Sequence, residues 1–164
     1  RAVIDVVRGI VGAGIPVMGH LGLTPQSVSA IGGYKVQGRT TDAAISLLED
    51  ALALEQAGCF SVLLEQIPAR VAEIINEKLT IPTISIGSGP ACDGHCQIFH
   101  DAIGMFDAFT PRHAKRYAEM GAILREAMKQ YVADIKERRY PGEEHSFKVS
   151  ADVLRAFLDY AQGR

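Results

Sequence analysis

Three short apolar runs, each released into polar or glycine-rich residues and then a helix-period segment, constrain this chain more than any other feature. Residues 15–19 are entered through Pro16 and end at His20, residues 60–64 end at Glu65, and residues 82–86 lead into Gly87-Ser88-Gly89-Pro90. Apolar runs of this length, bounded by turn residues, read as buried strands. The segments between them carry helical spacing. Thr41 or Asp42 caps a helix reaching about Ala57, with Leu47, Leu48, Ala51 and Leu54 inward and Gly58 as its stop. Pro68 suits the first turn of a helix running to Lys78, with Val71, Ile74 and Ile75 on one face.

The flanking segments extend the pattern. Residues 2–14 read as a helix already under way, with Val3, Ile4, Val7, Ile10 and Val11 at helical spacing. Residues 102–106 read as a fourth, weaker strand. Residues 111–138 read as the longest helix, with Tyr117, Gly121, Leu124, Met128, Tyr131 and Ile135 forming a narrow stripe for one neighbouring helix. Residues 149–161 read as a last short helix.

Alternation of this kind predicts a parallel α/β fold. Four strand–helix units make half of a (β/α)8 TIM barrel. A doubly wound sheet is the competing arrangement, but its dinucleotide fingerprint is missing, because residues 87–94 lack the third glycine at the required place. The chain opens at Arg1 inside a helical pattern with no cap or strand before it, so it reads as cut or processed out of something longer.

Charge excludes several partners. Seventeen Lys and Arg against 19 Asp and Glu leave a net charge of −2, no footprint for nucleic acid or an anionic membrane. No apolar run approaches the roughly 20 residues that span a bilayer. Three cysteines, an odd number without disulfide density, predict a reducing cytoplasm.

In a parallel fold, ligands gather at the C-terminal ends of the strands. His20, Glu65 and the Gly87-Ser88-Gly89 turn all fall there. Glu65 leaves an apolar run directly, which predicts a partly desolvated carboxylate suited to general-base work. Its alternative is a cap on the helix near Pro68, or a partner for an arginine. His20 reads either as a donor to a substrate oxygen or as a loop histidine bonding backbone near Thr24-Pro25. The glycine turn offers backbone N–H groups to an anion. Cys92 and Cys96 with His95 and His100 invite a zinc reading, yet they lack a second well-spaced pair. The Glu143-Glu144-His145 run reads as a cation site or a solvated loop.

Longer motifs carry a resemblance. Gly19-His20-Leu21-Gly22-Leu23-Thr24-Pro25-Gln26-Ser27-Val28, Gly32-Gly33-Tyr34-Lys35-Val36-Gln37-Gly38-Arg39, Leu64-Glu65-Gln66-Ile67-Pro68, Ile86-Gly87-Ser88-Gly89 with Cys92-Asp93-Gly94, His100-Asp101 and Tyr140-Pro141-Gly142-Glu143-Glu144-His145-Ser146-Phe147 resemble, in order and spacing, the ketopantoate hydroxymethyltransferase family. The resemblance runs over residues 1–148 and implies the C-terminal half of a (β/α)8 TIM barrel of the phosphoenolpyruvate/pyruvate-binding superfamily, with the N-terminal half missing from this chain; residues 149–164 read as a C-terminal helical extension. It implies transfer of a hydroxymethyl group from 5,10-methylenetetrahydrofolate to 3-methyl-2-oxobutanoate in pantothenate synthesis, in a homodecamer. It implies Mg2+ as the Lewis acid that holds the keto acid, with its ligands upstream of residue 1 and none in this segment. Glu65 matches the base that removes the substrate proton, and His20 matches a neighbour of the bound keto acid. The alternative carried with this reading is a non-catalytic remnant serving as an assembly or interaction module.

Overall fold

The computed structural model describes residues 3–29, 32–106 and 108–163. The chain divides into two compact units, Arg1–Ala118 and Glu119–Arg164.

The first unit is built on a parallel sheet. The chain enters through α1 (Ile4–Gly12) and runs through β1 (Met18–Gly22), α2 (Thr41–Gln56), β2 (Ser61–Glu65), α3 (Ala69–Lys78) and β3 (Thr83–Ile86) to β4 (Gly94–His95). The short α4 (Phe99–Ala102) follows. All pairings are parallel and the strand order is β1-β2-β3-β4, without the reversal that marks a doubly wound sheet.

Register explains which face is covered. Gly19, Val62 and Thr83 align across the sheet, as do Leu21, Leu64 and Ser85. Val62, Leu64, Thr83 and Ser85 are buried, and Val62 and Leu64 pack in one cluster with Ile4 and Val7 of α1, Ala51 and Leu54 of α2, and Ala72 and Ile75 of α3. Each fully buried aliphatic side chain there contributes about 1.5–3 kcal/mol. The alternate residues Met18, His20, Leu63, Glu65 and Ile84 lie on the other face of the pleat.

The N-terminal ends of the strands are held by side chains that take up backbone groups. Glu55 Oε1 accepts from Thr80 N–H (2.7 Å), the Thr80 hydroxyl (2.7 Å) and Ile81 N–H (3.2 Å). Those bonds, the Thr80 hydroxyl first, hold the Glu55 carboxyl below its usual pKa range. Asp93 Oδ2 accepts from Thr83 N–H (2.8 Å), and the Ser61 hydroxyl donates to the Pro82 carbonyl (2.8 Å).

Several expectations shift. The first helix is Ile4–Gly12 rather than 2–14, and Ala2 lies outside the described residues. The first strand begins at Met18 rather than Ile15, which places His20 inside it. The cap of α2 is Thr40, whose hydroxyl accepts from Ala43 N–H (3.3 Å). On α3, Ile74 faces solvent while Ala72 and Ile75 are buried.

The fourth strand is Gly94–His95, not residues 102–106. Cys96 N–H donates to the Ser85 carbonyl (2.8 Å), whereas Gly104 turns the later segment away at φ +64°. A side chain at Gly104 would sit 2.2 Å from the Ala118 carbonyl. Residues 111–119 are not helical either. The Gln97 amide accepts from Lys115 N–H (3.1 Å) and donates to its carbonyl (2.6 Å), and Tyr117 N–H donates to the Ala102 carbonyl (2.7 Å). These bonds occupy backbone groups that a helix from Pro111 needs.

The second unit holds α5 (Met120–Lys136), a 3-10 turn (Glu143–His145) and α6 (Ala151–Gln162), whose cap is the Ser150 hydroxyl. Arg139 donates to Asp134 through Nε (2.9 Å) and Nη2 (2.7 Å), closing the end of α5 where Arg138 takes φ +55°. Met128, Tyr131 and Ile135 of the expected stripe are exposed. Among the described residues no helix is long and apolar enough to cross a membrane.

Candidate functional site

The site is assembled where β1 and β2 end side by side. Gly22 pairs with Glu65 and His20 with Leu63, so a two-residue step on each strand brings His20 and Glu65 to the same face. His20 Nε2 lies 3.0 Å from Glu65 Oε2, with the side chains 27% and 15% exposed. While the carboxylate is ionised, the ring nitrogen is the donor. Among the described residues Glu65 thus caps no helix and pairs with no arginine: Pro68 opens α3 without a side-chain cap. His20 bonds the carboxylate rather than the backbone near Thr24-Pro25.

The backbone under Glu65 is pinned from four directions. Its carbonyl accepts from Leu23 N–H (2.8 Å), and Gln66 N–H donates to the Ile86 carbonyl (2.9 Å). The Gln66 carbonyl accepts from Gln37 N–H (3.0 Å), joining the long loop after β1 to the site. The Ser88 hydroxyl donates to the Leu64 carbonyl (2.8 Å) and accepts from Ile67 N–H (3.0 Å). Gln66, between these anchors, takes a left-handed φ of +48°, a conformation that persists in a non-glycine residue only when its surroundings over-determine it.

Gly22 makes the arrangement possible. Its φ is +92°, and a Cβ there would fall 2.1 Å from the Glu65 carbonyl oxygen. The Gly87-Ser88-Gly89 turn, expected to offer N–H groups to an anion, has a different use at its centre. Ser88 N–H donates to the Ser85 hydroxyl (3.1 Å), and the Ser88 side chain, 1% exposed, fastens the β2 exit.

A cleft of about 900 Å³ opens beside this pair, between Gln66 and Pro68, the Gly87 turn, and His95, Arg112 and His113. Neither His20 nor Glu65 lines it; a smaller cavity of about 230 Å³ beside β1 includes His20. The polar face of the larger cleft escapes sequence reading, because Arg112 and His113 reach it through the irregular segment that Gln97 and Ala102 tie down.

The metal-ligating candidates do not gather. Cys92 packs against the core, Cys96 is exposed, and Asp93 serves Thr83. Among the described residues no three His, Cys, Asp or Glu side chains stand close enough together to hold a cation. What the site can do chemically is accept a proton at the Glu65 carboxylate, with His20 fixing one of its oxygens.

Comparison with known proteins bears out the family resemblance. The family model for ketopantoate hydroxymethyltransferase matches residues 1–143. A 3-methyl-2-oxobutanoate hydroxymethyltransferase of Carboxydothermus hydrogenoformans is 50% identical over 150 residues, covering 92% of this chain and 54% of the relative. A protein of the same name from Roseiflexus sp. is 50% identical over 159 residues, covering 97% of this chain and 57% of the relative. One from Clostridium botulinum is 49% identical over 154 residues, with 94% and 56% covered. The chain spans about half the length of the curated relatives it matches. It belongs to the ketopantoate hydroxymethyltransferase family.

Proposed function

We propose that the protein serves hydroxymethyl transfer from 5,10-methylenetetrahydrofolate to 3-methyl-2-oxobutanoate, giving 2-dehydropantoate, with Glu65 as the base. The observation that carries this reading is the Glu65 carboxylate, mostly buried at the C-terminal end of β2, with the His20 ring as its hydrogen-bond partner. The proton on the carbon beside the keto group passes to the free Glu65 oxygen, leaving an enolate. Water breaks the two bonds from the donor's methylene to the folate nitrogens, each nitrogen taking up one of its protons, and the enolate carbon adds to the formaldehyde-level carbon so released, whose oxygen takes the proton back from Glu65 and becomes the hydroxyl. His20 holds the other carboxylate oxygen and lies next to the keto acid. Mg2+, when bound, would supply the Lewis acid that polarises the keto acid.

The same proposal covers architecture. Residues 1–148 are read as the C-terminal half of a (β/α)8 barrel and residues 149–164 as a helical extension, in a homo-oligomer of the family's decameric kind. The consecutive strand order, the clustering of α1, α2 and α3 on one face, and the half-length match to the relatives support it.

The test is exchange of the substrate's C3 proton with deuterated solvent, which needs no folate. Glu65→Gln, whose amide accepts no proton, should slow exchange by at least about a hundredfold. Unaltered exchange in that variant would remove Glu65 from the role.

A further inference from the structure

Glu65 lies inside a four-residue span, Leu64 to Ile67, whose ends are joined by a side chain from another strand's exit. In a hydrogen-bonded turn the fourth N–H donates directly to the first carbonyl. Here the Ser88 hydroxyl takes the place of that bond, donating to the Leu64 carbonyl (2.8 Å) and accepting from Ile67 N–H (3.0 Å). Glu65 and Gln66 are the two residues it encloses, and Gln66 carries the left-handed φ of +48°.

The hydroxyl is itself fixed. Ser88 is buried, and its N–H donates to the hydroxyl of Ser85 (3.1 Å), a buried residue aligned with Leu64 across β2 and β3. A serine hydroxyl has one proton to give and lone pairs to accept with, and Ser88 uses both on this one span. Alanine can do neither, and a cysteine thiol is a weak donor and a weak acceptor. Among the described residues the hydroxyl bonds backbone alone and touches neither the Glu65 carboxylate nor the His20 ring, so its hold on that pair runs through the chain beneath Glu65.

We infer that Ser88 is a positioning residue: its hydroxyl, set between the Leu64 carbonyl and Ile67 N–H, fixes the backbone from which Glu65 meets His20. The inference rests on the base role proposed above for Glu65. Without the hydroxyl, the buried Ile67 N–H either loses its acceptor or closes directly on the Leu64 carbonyl. Both outcomes turn the two enclosed residues and carry the carboxylate off its line to His20.

The test pairs two serines of the same sheet. Ser61, also buried, donates to the Pro82 carbonyl (2.8 Å) from the first residue of β2, whereas Glu65 is the last. Ser88→Ala and Ser61→Ala both delete a buried hydroxyl that bonds backbone, and a merely structural role predicts the same result for both. Ser88→Cys keeps the volume while weakening the bonds, and it carries the test if Ser88→Ala does not fold. Exchange of the substrate's C3 proton is measured per folded molecule, and the His20 ring nitrogens are followed by NMR at matched pH. Ser88→Ala should slow exchange at saturating keto acid by about ten- to a hundredfold, the effect of a misplaced group. Its half-saturating keto acid concentration should stay within about twofold, as for an interaction that matters in the transition state. Ser88→Cys should fall between Ser88→Ala and the wild-type protein, and Ser61→Ala should exchange like the wild-type protein. The His20 Nε2 signal should move in both Ser88 variants and stay in Ser61→Ala. An unmoved His20 signal in the Ser88 variants overturns the inference, and so does exchange in them equal to that of Ser61→Ala. Glu65→Gln, run alongside, separates the two readings: if it too exchanges fully, the base role has failed and the His20 signal alone decides the place of Ser88.

Discussion

At the N-terminal ends of the strands, Glu55 and Asp93 direct their oxygens at backbone N–H groups of Thr80, Ile81 and Thr83; at the C-terminal ends, Glu65 takes a hydrogen bond from the His20 ring at one oxygen, and its other oxygen has no hydrogen-bond partner among the described residues. The same side-chain type is thus put to two uses within one sheet. A carboxylate that accepts fixed amides is tied to the fold, and at Glu55 those bonds hold the carboxyl below its usual pKa range. A carboxylate whose only bonded partner among the described residues is a ring is not itself a tie for the backbone, so other groups must immobilise the chain beneath it. At Glu65 those groups are Leu23, Gln37, Ile86 and Ser88.

Three substitutions would break or sharpen this contrast. The largest effect is expected from Gly22→Ala, which forces a Cβ against the Glu65 carbonyl at a left-handed φ. Stability should fall by about 1–3 kcal/mol from backbone strain, and C3 proton exchange should fall at least about tenfold. Urea titration together with deuterium incorporation would show both losses. A fully active Gly22→Ala protein would mean that the backbone under Glu65 needs no such support.

At the other end of the sheet, Asp93→Ala strips the buried Thr83 N–H of its acceptor. A loss of about 1–3 kcal/mol in urea unfolding is expected, with proton exchange per folded molecule unchanged. Exchange that fell in step with stability would erase the distinction between the two ends.

The smallest effect belongs to Glu55→Gln, which keeps an acceptor for Thr80 and Ile81 but loses the charge. About 1 kcal/mol should be lost at neutral pH. Because the folded-state pKa of Glu55 lies below its ordinary value near 4.3, its stabilisation is complete above that value and is lost as pH falls through the lower, folded one. The gap between the wild-type protein and Glu55→Gln should therefore close on acidification below about pH 4. A gap that persisted in acid would mean that the Thr80 bonds do not depend on the charge.

The sequence makes the contrast only half visible. Apolar runs that end in a polar residue reveal β1, β2 and β3, and adjacent strand ends bring His20 beside Glu65 with no further information. The strand Gly94–His95 escapes because it is two residues long and exists through its pairing with Ser85 rather than through a run of its own. Pro111 marks a plausible first turn, yet Gln97 holds the backbone that a helix there requires. Arg112 reaches the cleft for the same reason, through tertiary bonds with no local signature. Ser88 misleads in another way. Its setting between two glycines reads as an anion loop, while the hydroxyl's use depends on where the β2 exit lies.

The fastening of Glu65 also sets what a protein engineer would have to move. Copying a glutamate and a histidine onto neighbouring strands of another parallel sheet reproduces the pair but not its footing. The transplant needs a glycine at the exit of the first strand, a left-handed residue after the glutamate, and a serine on the third strand's turn whose hydroxyl reaches both sides of that residue. Three consecutive strands, rather than two side chains, are the smallest portable form of this site.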